Sequence, residues 1–447
     1  MINPSIFKAY DIRGLYPSQI DGEVARRIGC GFIDYLKVRR IAVGHDMRSS
    51  SPEIAEGFIR GVRSQGAAVI DIGTVGTDML YFAVAHGGLE GGAIITASHN
   101  PKEWNGIKMV RRGAEALSGD AGIKEIKEAV LAGRFADDPS ASGPPVEKKD
   151  IREDYARHCL SFIDVARVPK LKVVLDAGNG MGSVGAETIF PRLPLQLVKM
   201  YFELDGSFPN HPPDPLLEAN RRDIVARVGS EKADLGIAWD GDADRCFFID
   251  DTGAFVPGDF VTALLGEAFC RKEKGAKIIY DVRASRAVDD RVRAAGGTAL
   301  MNRVGHAFIK KRMRDENAIF GGEVSGHFYF RENSYADNGM IPALLVLELI
   351  GGGEKLSALL APLRERYHIS GEINSTVKDT EAAIRRIEER YRDARILKLD
   401  GINVDYDEWH FNVRASNTEP LVRLNLEAYT QSEMERRRDE VLALIRQ

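Results

Sequence analysis

The chain has 447 residues, too many for one small module; at about 150 residues per domain it holds three domains, or four if one is small. With 61 Lys and Arg against 66 Asp and Glu, the net charge is −5 and no long basic run occurs, which argues against a nucleic-acid partner. Hydrophobic residues make up 44% and charged residues 28%, the balance of an ordered globular enzyme and neither a disordered nor a membrane-embedded chain.

The N-terminal run Met1-Ile2-Asn3-Pro4-Ser5-Ile6 lacks the basic, apolar and small-residue succession of a secretion signal. The longest apolar stretch, Ile341 to Ile350, contains Pro342 and Glu348 and is far too short to span a bilayer. Cys30, Cys159, Cys246 and Cys270 are scattered with no C-x-x-C spacing. Reduced thiols, a cytoplasmic location and no membrane partner are expected.

Three times an apolar β-branched stretch runs into a loop with an acid and small residues, then into a helical pattern: Arg40-IAVGHDMRSSS, Lys172-VVLDAGNGMGS and Lys277-IIYDVRASRAV. Each is followed by a second apolar strand ending in a polar loop, GGAIITASHNP, DLGIAWDGDADR or NAIFGGEVSGH. This order predicts α/β units with largely parallel sheets, whose ligands gather at the strands' C-terminal ends. The segment 138–149, rich in Pro, Ser and Gly, reads as an exposed connection, and 150–164 as a helix. The last part differs: a strand at Glu372-INSTV, a helix from Thr380 to about Tyr391, a hairpin near Asp400-Gly401, strands from Trp409 and Leu421, and a helix from Ser432 to Arg446 predict a small α+β domain.

Four loops can carry chemistry. Thr96-Ala97-Ser98-His99-Asn100-Pro101 sets a hydroxyl beside an imidazole, with Lys108 close behind; Ser98 is a candidate nucleophile, although the same residues suit a turn closed by proline. Asp240, Asp242 and Asp244 alternate in Asp-Gly-Asp-Ala-Asp-Arg245, so all three can face one hard cation; as a solvated turn they would repel one another. Arg245 and Asp251 stand where a calcium loop needs Gly and Glu, and a ligand set made of carboxylates favours magnesium over zinc. Gly321-Gly322-Glu323-Val324-Ser325-Gly326-His327 suits sugar hydroxyls but alone fits a structural turn better. Arg414-Ala415-Ser416-Asn417-Thr418-Glu419-Pro420, with Arg423 following, is either a pocket for a dianion or a polar turn. No Gly-Lys dipeptide occurs, so no Walker A loop is present, and Gly178-Asn179-Gly180-Met181-Gly182 has the wrong spacing for dinucleotide binding.

Together these loops resemble the α-D-phosphohexomutase superfamily, most closely its bacterial phosphomannomutase/phosphoglucomutase branch. Phe7-KAYDIRG, TASHNP, GIKM at 106–109, DGDADR, NRVGH at 302–306, GEVSGH and RASNTEP run in family order through the whole chain. The resemblance implies an α/β protein of three related domains with mixed, largely parallel sheets (1–149, 150–252 and 253–368) and a smaller α+β domain (369–447) around a central cleft. It implies a phosphorylated Ser98 that holds Mg²⁺ with Asp240, Asp242 and Asp244. Arg13, His99, Lys108 and Arg245 match positions near the transferring phosphoryl group. Glu323 and Ser325 match sugar contacts, and Arg414, Ser416, Asn417 and Thr418 the site of the other phosphate. Tyr10, Arg283, His306, His327 and Arg423 complete the expected substrate contacts. Val324 and Asn417 replace the Gln and Gly usual in phosphoglucosamine mutases, and Arg283 stands where some relatives have lysine. The implied reaction is reversible transfer between C6 and C1 of hexose phosphates, mannose and also glucose, through a 1,6-bisphosphate that also serves as activator, by a monomer or homodimer. The alternatives are a phosphoglucosamine mutase, a hydrolase sharing the aspartate cluster, and a non-catalytic sugar-phosphate-binding protein.

Overall fold

The computed structural model describes residues 2–119, 121–133, 135, 143–415 and 421–447. They fall into two compact units, Met1–Val256 with Ser325–Lys355, and Pro257–Val324 with Leu356–Gln447.

The first unit holds two α/β sheets. In one, strand Arg40–His45 lies between Ala68–Thr74 and Gly91–Ile95, all parallel. Trp104–Arg111 and then Ile12–Leu15 extend that sheet antiparallel. The β-branched runs place Ile41, Val43, Val69 and Ile95 in one core with Phe32 and Phe58 of the covering helices Gly22–Leu36 and Ser51–Ser64. These helices cross so closely that a Cβ on Gly61 would sit 1.9 Å from the Arg26 carbonyl oxygen. Part of the segment read as a connection is itself a strand: Val146–Lys148 pairs with Ala68–Thr74, and Val146 packs on the core.

In the second sheet, Leu171–Asp176 is flanked in parallel by Leu195–Met200 and Leu235–Trp239, and Cys246–Ile249 and Phe255–Val256 add antiparallel strands. Trp239 is fully buried and donates from Nε1 to the Gly339 carbonyl at 2.8 Å, which anchors the end of the strand that carries Asp240. The apolar stretch near residue 345 is a core helix, Met340–Ile350, buried along most of its length. Among the described residues no helix is long and apolar enough to cross a membrane.

In the second unit, Lys277–Asp281 is flanked in parallel by Thr298–Asn302 and Phe320–Gly322, with helices Gly258–Lys272, Arg286–Ala294 and His306–Glu316. Its C-terminal part is an antiparallel sheet built on the pair Trp409–Ala415 and Leu421–Ala428. Helices Thr380–Arg390 and Gln431–Ile445 accompany it, and Tyr391, Trp409, Phe411, Leu424 and Ile445 share one core. All four cysteines are free and buried. The mixed sheets and their helices give three α/β domains and a smaller C-terminal one.

Candidate active site

In the first unit, two loops that follow parallel strands meet. Ser98, three residues beyond the end of strand Gly91–Ile95, is fully buried and adopts a left-handed backbone (φ 51°). For a serine that conformation costs about 1–3 kcal/mol, so the surrounding contacts must hold it. They do: Arg48 donates to the carbonyls of Ser98 (2.8 Å), Asn100 (2.6 Å), Pro101 (2.8 Å) and Trp104 (3.0 Å), and Thr96 Oγ1 accepts from the Ser98 amide at 2.9 Å. Arg13 binds the same loop through the Ala97 carbonyl and the Asn100 side chain, and pairs with Asp11 at 2.7 Å.

Ser98 Oγ donates to Asp240 Oδ2 at 2.9 Å and lies 3.2 Å from His99 Nδ1. The aspartate loop comes so near that a Cβ on Gly241 would stand 2.5 Å from the Ser98 carbonyl oxygen, so glycine is required there. Asp240, Asp242 and Asp244 are buried, and one carboxylate oxygen of each lies within 4.8 Å of the others. Among the described residues Asp242 Oδ1 is buried without a hydrogen-bond partner. A buried carboxylate oxygen left open in an all-oxygen cluster fits a hard divalent cation.

Cations converge on the trio. Lys108 Nζ lies 2.6 Å from both Asp242 Oδ2 and Asp244 Oδ2. Burial alone would lower the Lys108 ammonium, but the two carboxylates outweigh it and hold the group above its usual value. Thr77 fixes Asp242 twice, donating from Oγ1 to Oδ2 at 2.5 Å and from its amide to the Asp242 carbonyl at 2.9 Å. Arg245 contacts Asp240 at 3.4 Å, His99 Nδ1 at 2.7 Å and His327 Nε2 at 3.3 Å. His327 in turn meets Ser325 Oγ through Nδ1 at 3.0 Å and lies 3.5 Å from Asp244. Burial first, and then Arg245, Arg13 and Lys108, push the His99 imidazole well below its usual pKa. A guanidinium has no acceptor, so His99 Nδ1 must accept from Arg245 and the ring proton sits on Nε2. Tyr10 is half-buried in the bend before strand Ile12–Leu15.

The second unit carries a separate polar cluster. Arg283 pairs with Asp281 at 2.9 Å and 3.0 Å, and lies 4.0 Å from buried Glu323. Glu323 Oε1 accepts from the Gly305 amide at 3.0 Å, just before His306 opens its helix. Arg414 and Arg423 are direct register partners on neighbouring strands. Arg283, Arg414 and Arg423 all reach Glu372, at 3.3, 3.4 and 3.5 Å. Ser416, Asn417 and Thr418 lie outside the described residues.

The structure thus gathers Arg13, Ser98, His99, Lys108, Asp240, Asp242, Asp244, Arg245, Ser325 and His327 in one unit, and Arg283, His306, Glu323, Arg414 and Arg423 in the other. Sequence reasoning missed Arg48, Thr77 and Glu372. For Arg48 a signal existed, since it belongs to the first of the three repeated acid-containing loops; Thr77 and Glu372 are single residues with no motif around them.

Four family descriptions match the chain. Phosphoglucomutase/phosphomannomutase alpha/beta/alpha domains I, II and III match residues 4–137, 153–253 and 257–367, and the C-terminal domain matches 372–444. The chain is 42% identical over 447 residues to "Phosphohexose mutases" of Xanthomonas campestris pv. campestris (strain B100), covering 98% of this chain and 99% of the relative. It is 42% identical over 454 residues to "Phosphomannomutase" of Salmonella montevideo, covering 100% of both. The crystal structure of a phosphoglucomutase/phosphomannomutase family protein from Burkholderia thailandensis superposes with a TM-score of 0.90 at 33% identity, covering 100% of this chain and 98% of that one. The chain belongs to the phosphoglucomutase/phosphomannomutase family of the α-D-phosphohexomutases.

Proposed function

We propose that the protein is a phosphohexomutase that interconverts the 6- and 1-phosphates of mannose, and also of glucose, by way of a phosphorylated Ser98. The observation that carries this reading is the placement of Ser98 Oγ, buried, 2.9 Å from Asp240 and beside the aspartate trio. Phosphoryl transfer asks a protein for positioning and charge stabilisation more than for covalent chemistry, and this loop pair supplies both.

In the transfer, the free hydroxyl oxygen of the hexose phosphate bonds to phosphorus while the phosphorus–Oγ bond of Ser98 breaks. The attacking hydroxyl gives up its proton and Ser98 Oγ takes one up, so the step balances, and Asp240 Oδ2 accepts from Ser98 Oγ in the hydroxyl form. Lys108, Arg13 and Arg245 place positive charge beside the moving group. Asp240, Asp242 and Asp244, with the phosphorylated Ser98, would hold a magnesium ion, which when bound supplies further positive charge to the phosphoryl oxygens. Glu323 and Ser325 read sugar hydroxyls, and Arg414 and Arg423, with Arg283 beside them, hold the phosphate that is not moving. The 1,6-bisphosphate formed in the first half then returns its other phosphate to Ser98, so added bisphosphate acts as activator. Domain limits at residues 149, 252 and 368 belong to the same reading; the family matches end at 137, 253 and 367 and resume at 153, 257 and 372. The four buried free thiols support a reducing, cytoplasmic setting.

Phosphorus NMR of the purified protein with mannose 6-phosphate, glucose 6-phosphate and glucosamine 6-phosphate, with and without chelator, tests the reading. Expected are the 1-phosphates of mannose and glucose, a slower reaction with glucosamine, and loss of turnover on chelation. Stoichiometric release of inorganic phosphate would make the protein a hydrolase. Faster turnover of the glucosamine phosphate than of the other two would move it to the phosphoglucosamine branch.

A further inference from the structure

Arg414 and Arg423 face each other across neighbouring antiparallel strands, an arrangement in which like charges repel. Arg283 adds a third guanidinium, already satisfied by Asp281. Glu372 is the residue that reconciles them. Its Oε2 meets Arg283 at 3.3 Å and Arg414 at 3.4 Å, and its Oε1 meets Arg423 at 3.5 Å. Burial raises the Glu372 carboxyl, but the three guanidiniums outweigh it and hold the group below its ordinary pKa, so it is ionised.

Two features set this apart from a permanent structural ion pair. The contacts are longer than the 2.7–2.9 Å of a close charge-assisted bond, in contrast to the bidentate Arg283–Asp281 pair. Moreover, among the described residues Arg414 Nε and Arg423 Nε are buried donors with no hydrogen-bond partner, and Arg414 is only 9% exposed. The cluster therefore has donors left over for an anion that offers more oxygens than one carboxylate does.

We propose that Glu372 is the resident counter-anion of Arg283, Arg414 and Arg423, and that an arriving phosphate dianion takes Arg414 and Arg423 over from it. Glu372 is a positioning residue: it keeps the guanidiniums converged between substrates and, by competing for them, limits how tightly the phosphate is held. The inference rests on the reading of Arg414 as a phosphate ligand. A mutase needs this moderation, because the bisphosphate must be let go by one phosphate before it is gripped by the other.

The test is a calorimetric titration of the full-length protein with inorganic phosphate, together with steady-state kinetics on glucose 6-phosphate, for wild type, Glu372→Gln, Glu372→Asp and Arg414→Ala. Removing one competing charge a few ångströms from the ligand should tighten phosphate binding by about fivefold or more. Glu372→Gln should thus lower both the phosphate Kd and KM while also lowering kcat, a split that loss of folding does not produce. Glu372→Asp, which keeps the charge, should restore values near wild type. If Arg414→Ala weakens phosphate binding but Glu372→Gln leaves it unchanged or weakens it, the counter-anion role is wrong and the phosphate site stands. If Arg414→Ala leaves phosphate binding unchanged, the phosphate-site reading fails and this inference fails with it.

Discussion

Ser98 Oγ and Asp240 Oδ2, from residues 142 apart in the chain, meet at 2.9 Å in the interior of the first unit. That bond joins the loop proposed to carry the phosphoryl group to the loop proposed to hold the metal. A serine this enclosed is reached only by chemistry that the neighbouring side chains permit.

Ser98→Ala therefore removes the one proposed phosphoryl carrier. The wild-type protein as purified should carry one phosphoryl group by intact mass, located to the Ser98 peptide. The alanine variant should lack it and lose nearly all turnover. A fully active alanine variant would place the carrier elsewhere.

Lys108 is the next test, because its ammonium bridges Asp242 and Asp244 at 2.6 Å each. Lys108→Met removes a charge aimed at the moving group, and losses of about a hundredfold to a thousandfold in kcat are typical of such a deletion. The same change frees two carboxylates from a competing cation, so manganese titration followed by electron paramagnetic resonance should show tighter binding. Unchanged kcat would make Lys108 a purely structural counter-ion.

Much of this arrangement was legible in the sequence, for local reasons. Strands Arg40–His45, Leu171–Asp176 and Lys277–Asp281 announce themselves as β-branched runs that end in an acid loop, and the loops at Ser98, Asp240 and Glu323 do follow parallel strands. Asp240, Asp242 and Asp244 were legible because alternate acids with an intervening glycine can face one point. What escaped depends on contacts between distant segments. Arg48 reaches the carbonyls of residues 50 and 52 positions on, Thr77 reaches Asp242 at a separation of 165, and Glu372 gains its meaning only when the register sets Arg414 against Arg423. Val146–Lys148 read as a connection because its Pro- and Ser-rich surroundings masked a strand of only three residues.

Asp78 predicts a pH dependence of stability. Its carboxyl is fully buried, accepts from Tyr155 and from the Met79 amide at 2.8 Å, and is pushed up from 3.8 to about 8, chiefly by burial. The folded state thus keeps a proton that the unfolded state has lost. Its contribution is fully present below the unfolded value and is lost as pH rises from about 4 to about 8. Asp78→Asn mimics the protonated form, so its thermal midpoint should exceed that of wild type by several degrees at pH 8, with the gap closing toward pH 4. A pH-independent difference would show that Asp78 is ionised in the fold.

Arg48 should be the residue through which stability and catalysis fail together. It is 1% exposed, contacts Asp46 at 3.3 Å and donates to four carbonyls of the serine loop, which no other side chain type can do at once. Breaking a buried pair of this kind costs about 3–5 kcal/mol. Arg48→Met should lower the melting temperature sharply. Arg48→Lys keeps the charge and folds, yet it cannot reach all four carbonyls, so the left-handed Ser98 backbone loses support. In that variant kcat and the extent of Ser98 phosphorylation should fall while KM for glucose 6-phosphate stays near wild type, because Arg414 and Glu323 are untouched. A rise in KM with normal kcat would show that Arg48 serves substrate binding and not the geometry of the nucleophile loop.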